Sequence, residues 1–296
     1  MAVFNLFFAT ILLPLVGIAF LAIRHRRPLG GWIATFVLAA GLAGFSLLAA
    51  PWGWFGIPVR AVLALLFAAA TILSLRRSPP PDVTPDNPAR TLAKVLIGVF
   101  FGSVAIGVLR AHAVPAGAID LGFPLRGGTY LIAHGGSTSA ANIHARHPQQ
   151  QYALDVVKLN RAGMRARGLY PAELTRYAIF GAPVVSPCDG TVVRAADAFP
   201  DHTPPMRDEK NAPGNHVVVR CGDADVWLAH LQRGSVRVRA GASVARGALL
   251  GRVGNSGNTT EPHLHVHAER DGRAVAARFD GRWLVRNGVT RASGPP

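Results

Sequence analysis

Charge is scarce in this 296-residue chain: only 16% of residues are Asp, Glu, Lys or Arg, half are hydrophobic, and mean hydropathy is +0.26. That shortage excludes a disordered chain and is unusual for a single soluble enzyme. Acidic residues are the scarcer kind, 16 against 31 basic, for a formal net charge of +15. Such a balance by itself suggests nucleic acid, but the distribution argues otherwise. Up to Arg110 the basic residues lie between apolar runs, and beyond it they are scattered over a segment of net charge +8. No nucleic-acid partner is expected. Cysteine is nearly absent too. Cys188 and Cys221 leave open one disulfide, which an oxidising compartment would favour, or two buried free thiols.

Long apolar runs fill the first third. Residues 3–23 carry no charge over the roughly 20 residues needed to cross a bilayer. Further runs cover 31–50 and about 57–75, the latter with Arg60 near one end, where its side chain can snorkel. A fourth, about 95–109, is short and needs flanks such as Lys94 to reach the headgroups. The first run has no basic leader and no small-x-small site before Arg24, so it does not read as a cleaved signal. Arg24, Arg26 and Arg27 follow run one, and Arg76, Arg77, Arg90 and Lys94 lie between runs three and four. Basic loops mark the cytoplasmic side. Four crossings therefore place the N-terminus and everything after Arg110 outside, with the Pro-rich stretch 78–88 in the cytoplasm. The expectation is a multi-pass protein of the bacterial inner (cytoplasmic) membrane, in contact with the lipid bilayer, with its C-terminal domain on the periplasmic or extracytoplasmic side.

From about residue 178 the pattern changes to short alternating segments separated by Gly, Asp and Asn turns, which predicts antiparallel β structure. Residues 155–177 lack alternation and read as a loop with a helical turn near 172–177. Within PHLHVHAE, His263, His265 and His267 recur at every second residue, so on a strand they share one face. Several histidines on one face after the glycine-rich loop GNSGNTTEP point to a metal or acid/base site.

The run VRAGASVARGALLGRVGNSGNTTEPHLHVH, with LAHL at 228–231, GAPVVSPCDGTVV, GNHVVV and YALD at 152–155, resembles the lysostaphin/LytM-type zinc endopeptidases, which cut peptide bridges of bacterial peptidoglycan. The resemblance covers roughly residues 127–270. Together with the apolar runs, which predict an N-terminal bundle of about four transmembrane helices (1–110), it implies a linker (111–126), a mainly antiparallel β-sheet domain of LytM/lysostaphin type, related to β-hammerheads (127–285), and a C-terminal tail (286–296). It also implies a zinc metallopeptidase acting on peptidoglycan stem peptides or cross-bridges. Asp155 and His265 would bind the zinc ion, and His230 and His263 would be catalytic.

One position departs from the pattern. The family's second metal-binding His falls at Gln151 here, and glutamine is a poor zinc ligand. His144 is the choice for the third ligand, since Pro148 constrains the approach of His147; His134 lies farther off. His267 reads as a half-exposed strand residue and His216 as structural, while Asn255, Ser256, Asn258 and Thr259 form a polar, flexible loop. Two other readings compete. Gln151 favours an inactive LytM-like regulatory module that binds or activates another cell-wall hydrolase. DGTVV and AGASVARGALLGRV also resemble biotinyl or lipoyl carrier domains, but Lys94, Lys158 and Lys210 are the only lysines and none sits in the required hairpin.

Overall fold

A computed structural model describes residues 2–23, 28–76, 87–292 and 294, in two compact units. Arg24, Arg26, Arg27, Arg77 and most of the Pro-rich stretch lie outside the described residues.

The first unit holds four helices long and apolar enough to cross a membrane: Phe4–Ala22, Leu29–Ala49, Ile57–Leu75 and Pro88–Arg110. Pro14 shapes the first. It has no N–H to give Thr10, four residues back, and a π turn forms over Phe8–Leu12. The Ser46 hydroxyl of the second helix donates to the freed Thr10 carbonyl at 2.7 Å, which satisfies it without water. Gly41 and Gly98 bring the second and fourth helices together; a Cβ at either would collide with the other helix's backbone. The fourth helix is longer than the 95–109 run suggested. Asn87 Oδ1 accepts from the Ala89 N–H at 2.9 Å, and Pro88 opens the first turn, so the helix begins seven residues before the apolar run.

The second unit is built on β-strands. In chain order they are β1 (Ile119–Leu121), β2 (Gly128–His134), β3 (Leu154–Leu159), β4 (Pro183–Val185), β5 (Gly190–Ala196), β6 (Asn215–Cys221), β7 (Ala224–Leu231), β8 (Ser243–Val244), β9 (Leu249–Arg252), β10 (Leu264–Arg270), β11 (Arg273–Val275), β12 (Ala277–Phe279) and β13 (Val289–Ala292). The main sheet is antiparallel, ordered β13-β2-β3-β10-β7-β6-β5-β8, with β11 beside β10. Two small pairs flank it: β4 with β9, and β1 parallel to β12. Strand structure thus starts well before residue 178, and β1 and β13 fall in the segments read as linker and tail. β3 escaped the sequence pattern because its first five residues include a buried run, Leu154 to Val157, with both faces covered, and alternation vanishes when neither face meets water.

Period-two geometry divides the sheet. Tyr130, Ile132, Val156, Leu228, Leu264 and Val266 point into the hydrophobic core. The intervening residues, including Asp155, Trp227, His265 and His267, point to the opposite face. Cys188 and Cys221 are bonded, with Cα atoms 5.9 Å apart, tying the turn before β5 to the end of β6. The bond closes a loop across a sequence separation of 33, and chain entropy assigns such a closure about 3–4 kcal/mol. Changing both cysteines to serine is expected to lower the unfolding free energy of this unit by that amount, read from denaturant unfolding of the full chain in detergent. An unchanged midpoint would contradict it.

Candidate metal centre

Strand register assembles the centre. His265 of β10 pairs directly with Asp155 of β3 on one side and Ala229 of β7 on the other. A register shift in β2 after Ile132 sets His134 opposite Asp155 as well. His134, Asp155 and His265 therefore lie in one row across the sheet, and no two of them are near in sequence. His144 arrives from the loop before β3. The buried Asn142 closes that loop: its Oδ1 accepts from the His144 N–H at 3.0 Å, and its Nδ2 faces the carbonyls of Gly136, Gln151 and Ala153 at 3.0–3.2 Å. His144 is thereby turned back so that its Nε2 donates to Asp155 Oδ2 at 2.9 Å. His265 Nδ1 donates to Asp155 Oδ1, also at 2.9 Å, and His263 Nε2 lies 3.5 Å from the same oxygen.

His230 and His263 are held differently. His230 ends β7 at φ 64°, a conformation that non-glycine residues rarely adopt. Its Nδ1–H donates to the Ser256 carbonyl at 2.9 Å, and the His263 Nδ1–H donates to the Glu261 carbonyl at 2.9 Å. Each ring thus commits Nδ1 to the backbone, the His263 Nε2 faces Asp155, and the two ring centroids are 4.8 Å apart. The loop that fixes them is itself tied down by hydrogen bonds. Asn255, Ser256 and Thr259 are buried; Ser256 Oγ donates to the Leu231 carbonyl at 2.7 Å and accepts from the Asn215 N–H at 2.9 Å. These residues frame the histidines, and only their polar character showed in the sequence.

Burial disfavours charge here, and the imidazoles offset it. Burial alone would raise the Asp155 carboxyl, but His144 and His263 outweigh it and hold the group well below the usual carboxylate range. Burial lowers His265, and it lowers His230 far enough to keep that ring neutral. For His263 burial also disfavours the charged form, yet Asp155 prevails and the net shift is upward. His134 is pushed down to about 3, chiefly by burial. Its Nδ1 accepts from Arg286 Nη1 at 3.0 Å, which occupies one of its two nitrogens.

Two sets of donors cluster within 4.8 Å: His144, Asp155 and His265, and His230, His263 and His265. A divalent cation fits the first set better, because only that set supplies negative charge, and two imidazoles with one carboxylate make a three-ligand site. His144, Asp155, His230, His263 and His265, all read from the sequence, are brought together here. His147 is exposed on the rim, and Gln151 contributes its backbone carbonyl to Asn142. His267, read as half-exposed, is buried. The centre opens into a groove of about 1150 Å³, lined also by Arg194, Trp227, Asn258 and Glu269.

Residues 175–277 match Peptidase family M23; His230, His263 and His265 lie inside the match, His144 and Asp155 before it. A Haemophilus influenzae protein named as an uncharacterized metalloprotease is 32% identical over 95 residues, 32% of this chain and 18% of that one. The peptidoglycan DD-endopeptidase ShyA of Vibrio cholerae is 33% identical over 99 residues, 33% of this chain and 20% of that one. The alignments thus span about a fifth of these relatives. Among solved structures, the antimicrobial peptidase lysostaphin of Staphylococcus simulans aligns at 18% identity over 56% of this chain and 50% of that one, with a TM-score of 0.28.

The donor geometry predicts how variants separate. With zinc as the probe, a ligand role for His144 predicts that His144→Ala weakens binding at least about tenfold, as loss of a direct ligand costs no less than loss of its outer partners. His147→Ala should change it little, and Gln151→His should be tolerated. Competition with a chelator measures all three, and parental affinity in His144→Ala would remove that residue from the set.

Proposed function

We propose that the chain, whose residues 175–277 match Peptidase family M23, is a membrane-anchored zinc endopeptidase that hydrolyses peptide cross-links of bacterial peptidoglycan. The observation that carries this reading is the joining of His144, Asp155 and His265 into one donor set beside His230 and His263. The hydrogen bond of His144 to Asp155 supports His144 as the ligand that replaces the one lost at Gln151, and so weighs against the inactive-module alternative. The name of the Vibrio relative supports the substrate class.

In this reading Asp155, His265 and His144 hold the zinc and leave a position for water. A zinc ion held there would supply a Lewis acid for the scissile carbonyl and make water a nucleophile at neutral pH. The remaining work falls to side chains already oriented. His230, neutral and pinned at Nδ1 by Ser256, takes a proton at Nε2 and returns it to the leaving amine. His263, pinned by Glu261, offers its Nε2 from the other side and stabilises the oxyanion once protonated. The groove is large enough for several residues of an extended peptide. Residues 1–110 form the anchor and 127–285 the peptidase domain; the flanking segments 111–126 and 286–296 add β1 and β13. The Cys188–Cys221 bond suits an oxidising, extracytoplasmic location.

Two experiments test this. On purified peptidoglycan, His230→Ala and His263→Ala should each cut cleavage by about 10²–10⁴-fold while zinc content stays near parental; His265→Ala should lose both. Equal zinc loss in all three would reverse the assigned roles. For topology, a cysteine placed at Asp271, in the exposed turn after β10, should react with an impermeant thiol reagent added outside. A cysteine at Ser78 should react only after the membrane is opened. Labelling of both from one side would refute four crossings.

A further inference from the structure

His267 is left without a role by the mechanism, yet it is among the most constrained rings in the domain. It is buried at 8% exposure, and its Nδ1 lies 3.0 Å from His265 Nε2. Its other contacts leave it little freedom to turn. The ring stacks on Trp227, its direct partner across β10 and β7, with centroids 5.6 Å apart and planes 10° from parallel. Trp227 is fixed in turn: its Nε1–H donates to Glu269 Oε1 at 2.9 Å, and His216 packs against it with centroids 5.3 Å apart.

We propose that His267 is a positioning residue that selects which nitrogen of His265 binds the metal. The inference rests on the zinc-peptidase reading above. A neutral imidazole carries one proton, on one nitrogen only. His265 turns Nδ1 to Asp155 and Nε2 to His267, so Nδ1 is the nitrogen that faces the other donors. When Nδ1 gives its lone pair to a metal, the proton of His265 must sit on Nε2. A buried N–H needs an acceptor, and His267 Nδ1 is placed to be that acceptor. Without metal the polarity is reversed: Asp155 accepts from His265 Nδ1–H, and His267 Nδ1–H donates to His265 Nε2. Loading therefore releases the Nδ1 proton of His265 to water. His267 passes its own Nδ1 proton to His265 Nε2 and takes one from water at Nε2, so both rings stay neutral. An outer partner of this kind orients a ligating histidine and raises its basicity.

The test uses the full chain in detergent with zinc as the probe. His267→Phe keeps a ring on Trp227 but removes the acceptor, and is expected to weaken zinc binding about 10–100-fold in chelator competition. His267→Gln, whose amide oxygen can accept from Nε2–H, should restore most of that affinity. Independently of any variant, long-range ¹⁵N–¹H spectra of the parent should show His265 protonated at Nδ1 without zinc and at Nε2 with it. Parental affinity in His267→Phe, or a zinc-loaded His265 protonated at Nδ1, overturns the proposal alone. A parent that takes up no zinc overturns the zinc-peptidase reading and this proposal with it.

Discussion

A carboxylate buried in the middle of a β-sheet is the constraint on which the functional unit depends. Removing an ion such as Asp155 from water costs several kcal/mol unless its lone pairs are satisfied. Three imidazoles do this, from His144, His263 and His265. Each must in turn place its own second nitrogen or backbone. His265 reaches His267, which lies on Trp227. His263 reaches the Glu261 carbonyl, and His144 is capped by Asn142. The result is a connected polar network in which each ring's orientation follows from its neighbour's. Such a network costs stability to assemble from separate strands, and a bound cation would offset that cost by neutralising the negative charge of Asp155.

The same need for internal satisfaction is met in the helical unit. Pro14 strips a partner from the Thr10 carbonyl, and a hydroxyl from another helix replaces it. Gly41 and Gly98 allow backbones to approach where side chains would hold them apart. The outward positions are large and apolar, with Leu65 70% and Phe100 64% exposed. Surfaces of that kind suit lipid and not water. In lipid, burying hydrophobic area would contribute little between helices, and close packing and shared hydrogen bonds would be what holds them together.

Much of the candidate site was legible because it obeys local rules. Alternation put His265 and His267 on one face, and His230 and Asp155 were found through their resemblance to known strands. Pro148 argues for His144 over His147, and Asn142 turns His144 toward Asp155. The misjudged features are those whose environment comes from elsewhere in the chain. His267 read as half-exposed because nothing near it in sequence reveals that Trp227 covers it. The loop from Asn255 to Thr259 read as flexible because its polar side chains fit a mobile turn equally well; its partners, Leu231 and Asn215, are tens of residues away. β3 read as a loop because a strand covered on both faces loses its period.

Sequence alone thus determined the elements. Apolar runs of bilayer length specify the helices, alternation specifies most strands, and the period of two specifies which histidines share a face, because each follows from bonds and sterics within a few residues. Tertiary structure decided which of those residues meet. The pairing of His265 with Asp155, the return of His144 across eleven residues, the bond between Cys188 and Cys221 and the stacking of His267 on Trp227 all depend on strand register and loop closure. These are set by the packing of the whole sheet, since only when the core face is buried as one surface does each strand have a single position in which both its faces are satisfied.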